Sequence, residues 1–232
     1  MARINKGALT KLEIVQEATK QFLEKGFTRT TVSSIAKELH MSTGNLTFHY
    51  PTKDHLLAEL VDMLCEFQWK QIEKEADDGI SFVLAICLEL TAMAGACEDD
   101  EIIKDFILSS YASPLCLAAI RKNDTARAKE VFKNYRPDWT HEQFVEAEIL
   151  ASGIEFATLM VAGDPVSFET RIIGAIHNIL GIYGVPADVR ELKIQKVFAM
   201  DYRKIGKQSI ADFKKHVEQT NEQAFKDMLN IK

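Results

Sequence analysis

The stretch from Thr31 to Lys53 constrains this chain more than any other segment. Val32, Ile35, Ala36 and Leu39 fall at i, i+3, i+4 and i+7, the spacing of one apolar helical stripe. Thr31 stands at the N-cap position, where its hydroxyl can accept a free backbone N–H. His40, Met41 and Ser42 follow, with Met41 as an apolar plug and Ser42 as the cap of a second helix. In that helix, Thr43 to Tyr50, only Leu46 and Tyr50 share an inward face. Thr43, Gly44, Asn45, Thr47, Phe48 and His49 are left pointing elsewhere. Two short helices joined by so tight a turn predict a helix-turn-helix of about residues 31–50, whose second helix enters a DNA major groove.

The flanking sequence supports a small helical unit. Thr10-Lys11-Leu12-Glu13 has capping-box spacing, so a helix is expected from near Thr10. Leu12, Ile14, Val15, Ala18, Thr19, Phe22 and Leu23 give it a broad apolar face. Lys25 suits the negative end of that helix, and Gly26 supplies the left-handed residue that stops it. After the motif, Pro51 ends the second helix and Thr52 caps another. Lys53 in that first turn opposes the helix dipole, a cost that a nearby phosphate would offset.

From about Leu9 to Leu60 the chain resembles the DNA-binding domain of the TetR family of bacterial transcriptional regulators. The resemblance rests on Ala18, Phe22, Lys25-Gly26-Phe27, Thr30-Thr31-Val32, Ile35-Ala36, Ser42-Thr43-Gly44, Leu46, His49-Tyr50, Lys53 and Leu56-Leu57. Two positions depart from the family pattern. His40 stands where the family usually has Gly, so the backbone there must hold a side chain in a conformation that Gly prefers. Thr47 stands where the family often has Tyr.

The resemblance implies an all-α chain. Residues 1–55 would form a three-helix helix-turn-helix DNA-binding domain. Residues 56–232 would form a larger helical domain for ligand sensing and dimerisation, extended by a further helical region from about residue 186. It implies a homodimeric repressor of a palindromic double-stranded operator, in the bacterial cytoplasm and on the nucleoid when bound, released by a small-molecule effector.

Base readout needs short donors and acceptors near the start of the second helix, and Thr43 and Asn45 fit, while Gly44 lets the backbone come close. Phe48 offers apolar contact to thymine methyls, with core packing as the plainer alternative, and Thr47 could touch base or sugar. Tyr50 reads as core. By the resemblance, Thr31, His49 and Lys53 hold phosphates. Arg3 and Lys6 form an arm that either adds DNA contacts or merely solubilises the terminus.

Charge is distributed in keeping with this picture. The net charge is −6, but residues 1–55 carry +3 and the remainder −9. A mildly basic head on an acidic body fits a protein that touches DNA with one end. Cys65, Cys87, Cys97 and Cys116 lie singly among apolar residues, as small buried hydrophobes in a reducing compartment do. Met1 to Gly7 is short, polar and basic, unlike a signal peptide. Ile80 to Cys97 is the one membrane-like run, and Glu89 at its middle favours a buried helix over a span.

The body reads as a succession of helices. Asp54 to Glu75 leads from the head, and Asp77-Asp78-Gly79 breaks it. Ile80 to Gly95 follows, then an acidic loop at Glu98 to Asp100 and a short helix through Ser109. Ser113-Pro114 starts another that Arg136-Pro137 ends. Thr140 caps the next, with Phe144, Ala147, Leu150, Ala151, Ile154, Thr158 and Val161 as one face, stopped by Gly163-Asp164-Pro165. Val166 to Tyr183 carries Phe168, Ile172, Ile173, Ile176, Ile179 and Leu180. Small residues on these last two helices (Ala151, Gly153, Ala157, Gly174, Ala175, Gly181) permit close packing. In the TetR family the matching pair builds a four-helix bundle with its copy; completing the monomer core is the alternative. Two heads about 34–36 Å apart would then meet successive major grooves. Beyond Gly184-Val185-Pro186, Ile210, Phe213, Val217, Ala224, Phe225 and Met228 predict one or two further amphipathic helices.

No arrangement of residues points to catalysis. There is no Gly-rich phosphate loop, no H-E-x-x-H and no cysteine spacing for zinc, and no cofactor is implied. His177 is alone on an apolar helix and reads as a packed histidine. Trp69, Met63, Met93, Phe106 and Tyr111 are candidates to line an effector cavity, with plain core as the alternative. A second functional reading stays open, in which an all-α adaptor keeps the head but binds a protein instead of DNA.

Overall fold

A computed structural model of the chain describes residues 6–77, 80–160 and 166–230. These residues form eleven helices and no strand. The expected arm residue Arg3, the break at Asp78-Gly79, Val161 and the Gly163-Asp164-Pro165 stop lie outside them, as do the side chains of Lys6, Ala224, Phe225 and Met228.

The head is α1 (Lys6–Lys25), α2 (Val32–Glu38), α3 (Thr43–His49) and the start of α4 (Lys53–Asp77). Helix α1 starts a turn earlier than its capping-box spacing suggests, so Thr10 lies inside it. Its buried face is Ile14, Val15, Ala18 and Phe22, with Thr19 and Gln21 also buried. Gly26 ends it at φ +91°, in the left-handed region a Cβ disfavours. At α2 the cap is reciprocal: Thr31 Oγ1 accepts from the Ser34 amide at 3.0 Å, and the Thr31 amide donates to Ser34 Oγ at 3.1 Å. Ser34 Oγ also donates to Gln21 Oε1 at 2.7 Å, which explains the buried glutamine on α1. Ile35 and Leu46 are fully buried and Tyr50 nearly so, so the inward stripe of the motif is as the spacing predicts.

The body is α5 (Phe82–Asp99), α6 (Glu101–Ala112), α7 (Pro114–Phe132), α8 (His141–Met160), α9 (Phe168–Ile182), α10 (Ala187–Phe198) and α11 (Tyr202–Asn230). Helix α5 is central, packed by α4, α6, α9, α10 and α11. Its mid-helix Glu89 is tolerated because Arg127 of α7 meets it at 3.3 Å. The acidic segment at Glu98 to Asp100 is not a loop: α5 runs to Asp99, and Asp100 Oδ1 accepts from the Ile102 and Ile103 amides to cap α6. Thr140 and Gln143 cap α8 reciprocally. Among the described residues, no single helix is long and apolar enough to cross a membrane. The four cysteines are buried and unbridged.

One predicted face needs correction. On α8 the buried side chains are Phe144, Ala147, Glu148, Ala151, Ser152 and Leu159, whereas Leu150 is 53% exposed. The helix is apolar on two sides, so periodicity could not tell which side the body takes, and the inner side includes a glutamate and a serine.

The head is tied to the body at two places. The Thr28 amide donates to Asp105 Oδ2 of α6 at 2.8 Å, and the Thr28 hydroxyl donates to Oδ1. Lys214 of α11 pairs with Glu24 of α1. Helix α11 lies along α5, α1 and α4, with Phe213 and Val217 buried. It approaches α5 so closely that a Cβ on Gly206 would collide with the Ala92 carbonyl.

Candidate nucleic-acid interface

Helix α3 is anchored from below and open from above. Leu46 and Tyr50 hold it to the core, and burial pushes the Tyr50 phenol pKa well up. Ser42 Oγ accepts from the Asn45 amide at 3.1 Å, which fixes the first turn. Thr43, Gly44 and Asn45 are exposed, and Thr47 and His49 are half-exposed. Phe48 is 82% exposed, the highest value among the large apolar residues. Water is a poor environment for so much aromatic surface, and core packing is excluded for it. The Phe48 and His49 rings meet edge-on at 5.3 Å.

Local contacts refine the chemistry available on this face. Thr47 Oγ1 donates to the Thr43 and Gly44 carbonyls at 3.1 and 3.2 Å, so its proton is engaged in its own helix. What it offers outward is a methyl group and lone pairs. A Cβ on Gly44 would meet only Ser42 Oγ, at 4.0 Å. Nothing inside the chain therefore requires glycine there.

His40 takes φ +52° in the turn between the helices, the sole non-glycine residue with positive φ among the described residues. The backbone conformation expected of a glycine is thus kept, with a side chain on it. Lys53 turns inward: its ammonium donates to the Phe27 and Thr30 carbonyls at 2.8 and 2.9 Å and sits 3.9 Å from the Phe27 ring centre. Desolvation lowers its pKa, against Asp54 and Asp105, which raise it. These carbonyls, rather than a phosphate alone, compensate its place at a helix start. One of its three N–H donors remains for an outside acceptor.

Beneath the head, α4 to α9 surround a cavity of about 110 Å³. Met93 and Tyr111 line it, as expected, together with Leu90, Ile107, Phe132, Ile176, Ile179 and Leu180. The other candidates do not. Phe106 is core, Trp69 stacks on Phe82 at 5.7 Å, and Met63 packs against the core from the side. Sequence reading missed the polar half of the lining: Glu89, Asp124, Arg127, Glu148, Glu155 and Tyr183. These come from four helices, so no local spacing announces them. His177 is not a packed core residue; it is half-exposed and meets Glu191 at 3.2 Å. Among the described residues, no group of three or more His, Cys, Asp or Glu side chains is placed to hold a metal ion.

Residues 14–60, from the middle of α1 into α4, match the bacterial regulatory proteins of the tetR family. The head is similar to that family over these residues. Over 75% of its length the chain shares its fold with a solved regulator of that kind. FadR of Thermus thermophilus, a TetR-family transcriptional repressor solved in complex with lauroyl-CoA, is 18% identical with a TM-score of 0.57. That match covers 75% of this chain and 95% of FadR. TylP of Streptomyces fradiae, a TetR regulator, is 16% identical with a TM-score of 0.47, over 88% of this chain and 98% of its own. No curated protein matches the sequence. The described residues thus join a head similar to that family to an all-helical body with the fold of a solved TetR-family repressor.

Proposed function

We propose that the chain is a homodimeric repressor, with a head of residues 1–55 and a body of residues 56–232, that leaves its operator when the body binds a small molecule. The observation that carries the DNA reading is the exposure of α3: Leu46 and Tyr50 fix it, while Thr43, Asn45 and Phe48 face outward from a rigid support. In this reading Asn45 pairs with an adenine edge and Thr43 and Phe48 contact thymine methyls. Gly44 admits the backbone close to the bases, and Thr47 adds its methyl group. Thr31, at the start of α2, His49, and the third donor of Lys53 reach phosphates.

Dimerisation is supported by α8. Val145, Ile149, Leu150 and Met160 are each at least 36% exposed, and Gly153 has nothing within 4 Å of where its Cβ would be. These residues share one outer side of α8, with Gly174 of α9 equally open. Such a stripe with small residues suits close packing against a second copy. The cavity would act on DNA binding by preferring one spacing of the two heads, since a ligand shifts an equilibrium only by its differential affinity. The Thr28–Asp105 and Lys214–Glu24 contacts are the connections through which α6 and α11 would move α1.

Selection of bound duplexes from random oligonucleotides, followed by a mobility shift across a salt series, tests the reading. A palindromic site with half-sites about one helical turn apart and a steep salt slope is expected. Retention of no duplex at all would reject DNA binding and favour a protein partner for α3. Monomers alone at micromolar concentration in sedimentation would reject the dimer.

A further inference from the structure

The cavity in the body is acidic on the inside. Four carboxyl groups line it (Glu89, Asp124, Glu148 and Glu155) against one guanidinium, that of Arg127. Arg127 is already engaged, with Glu89 at 3.3 Å, Asp124 at 3.5 Å and the Cys65 carbonyl. The other two acids have only phenols. Tyr183 donates to Glu148 Oε1, and Tyr111 donates to Glu155 Oε2 at 2.8 Å. Neither acid has a salt bridge to a cation among the described residues, and Glu148 is only 6% exposed. Glu148 and Glu155 are seven residues apart on α8, which puts them on one face two turns apart. Opposite them the walls are aliphatic, with Leu90, Met93, Ile107, Ile176 and Leu180.

We infer that this cavity takes an organic cation: an amine whose ammonium is held at Glu148 and Glu155 and whose apolar body lies against α5, α6 and α9. The inference rests on the effector reading above and gives the effector its chemical class. Acids in an apolar cavity are costly to ionise without a cation of their own, and an ammonium brings three donors and the missing charge together. An anionic ligand would add to an existing excess of negative groups, with the one cation already paired. A metal ion is disfavoured because the acids are not placed to converge on one. Burial raises Glu148 to about 8 and Asp124 to about 6, and it raises Glu155 as well, with Asp124 adding to the rise of both glutamates. Glu148 therefore holds its proton at neutral pH until a positive charge arrives, so binding an ammonium there releases a proton.

Isothermal titration calorimetry on the full chain tests this with three ligands of one shape: 4-phenylbutylamine, 4-phenylbutanol and 4-phenylbutyrate. At pH 7 the amine is expected to bind about tenfold tighter than either relative or better. Its heat should change with the ionisation enthalpy of the buffer, which reports protons released. The paired variant Glu148→Gln/Glu155→Gln should bring the amine down to the level of the alcohol. Glutamine has the shape of a protonated glutamic acid, and the proton-release measurement on the parent needs no variant at all. Equal or tighter binding of the alcohol, the carboxylate or lauroyl-CoA would overturn the inference. So would heat independent of buffer, an amine preference that survives in the paired variant, or no binding of the amine. An amine that binds as expected but leaves a selected operator complex intact would instead count against the effector role, with the cation site standing.

Discussion

Helix α3 and the cavity place polar groups in opposite ways. On α3 the polar groups are few, neutral and exposed, and two buried residues of the same helix, Leu46 and Tyr50, orient all of them. In the cavity the polar groups are ionisable and mostly buried, and three of the four acids are held by a residue from another part of the chain: Arg127 for Glu89, Tyr183 for Glu148, Tyr111 for Glu155. The first arrangement is local and tolerates substitution on its outer face. The second is a network in which one change leaves a partner charge without compensation. Recognition of a large outside partner and recognition of a small enclosed one thus place different demands on stability.

The largest expected effect strikes the network. Arg127→Ala leaves Glu89 and Asp124 without their cation in the interior, and urea denaturation should show a loss of about 3–5 kcal/mol. A loss under 1 kcal/mol would mean that the acids are not held as the geometry shows. Next comes pH. Glu148 is raised to about 8 by burial first and by Asp124 second, against Tyr183 and Arg127. Below roughly pH 4 it is protonated in both folded and unfolded chains. As pH rises toward 8 the unfolded chain gives up that proton first, so the unfolded state gains and stability falls across this window. Glu148→Gln should flatten the fall and add about 1–3 kcal/mol near pH 8.5. A parent whose midpoint is constant from pH 5 to 8.5 would contradict the assignment.

Changes on the head should separate binding from stability. Gly44→Ala places a methyl group where the nearest atom is 4.0 Å away, inside a helix that prefers Ala. Thermal melting should therefore show a gain of about 0.5–1 kcal/mol, while operator affinity drops on the order of tenfold. Equal affinity would show that the backbone at Gly44 does not approach the bases. The smallest effect belongs to the turn: His40→Gly relieves a side chain at φ +52° and should stabilise by about 0.5 kcal/mol.

The same contrast explains what could be read from residue order. Capping pairs, the stripe of Ile35 and Ala36, the Leu46–Tyr50 anchor and the left-handed Gly26 are decided within a few residues, and each stands where local rules put it. Phe48 needed the tertiary structure to be placed, because an aromatic residue at that position suits either core or solvent. Lys53 kept its position and gained inward hydrogen bonds to the Phe27 and Thr30 carbonyls, which become its neighbours only once the chain has folded, whereas Thr47 bonds within its own helix.

Helical periodicity by itself therefore determined the all-α class, the helix-turn-helix and its inward anchors Ile35, Leu46 and Tyr50, since a helix fixes residues three and four apart on one face. Tertiary packing alone decided which side of α8 turns inward and that Glu89, Asp124, Arg127, Glu148 and Glu155 share one cavity. Those residues are brought together by packing of separate helices, and no pattern within one helix encodes a neighbour on another.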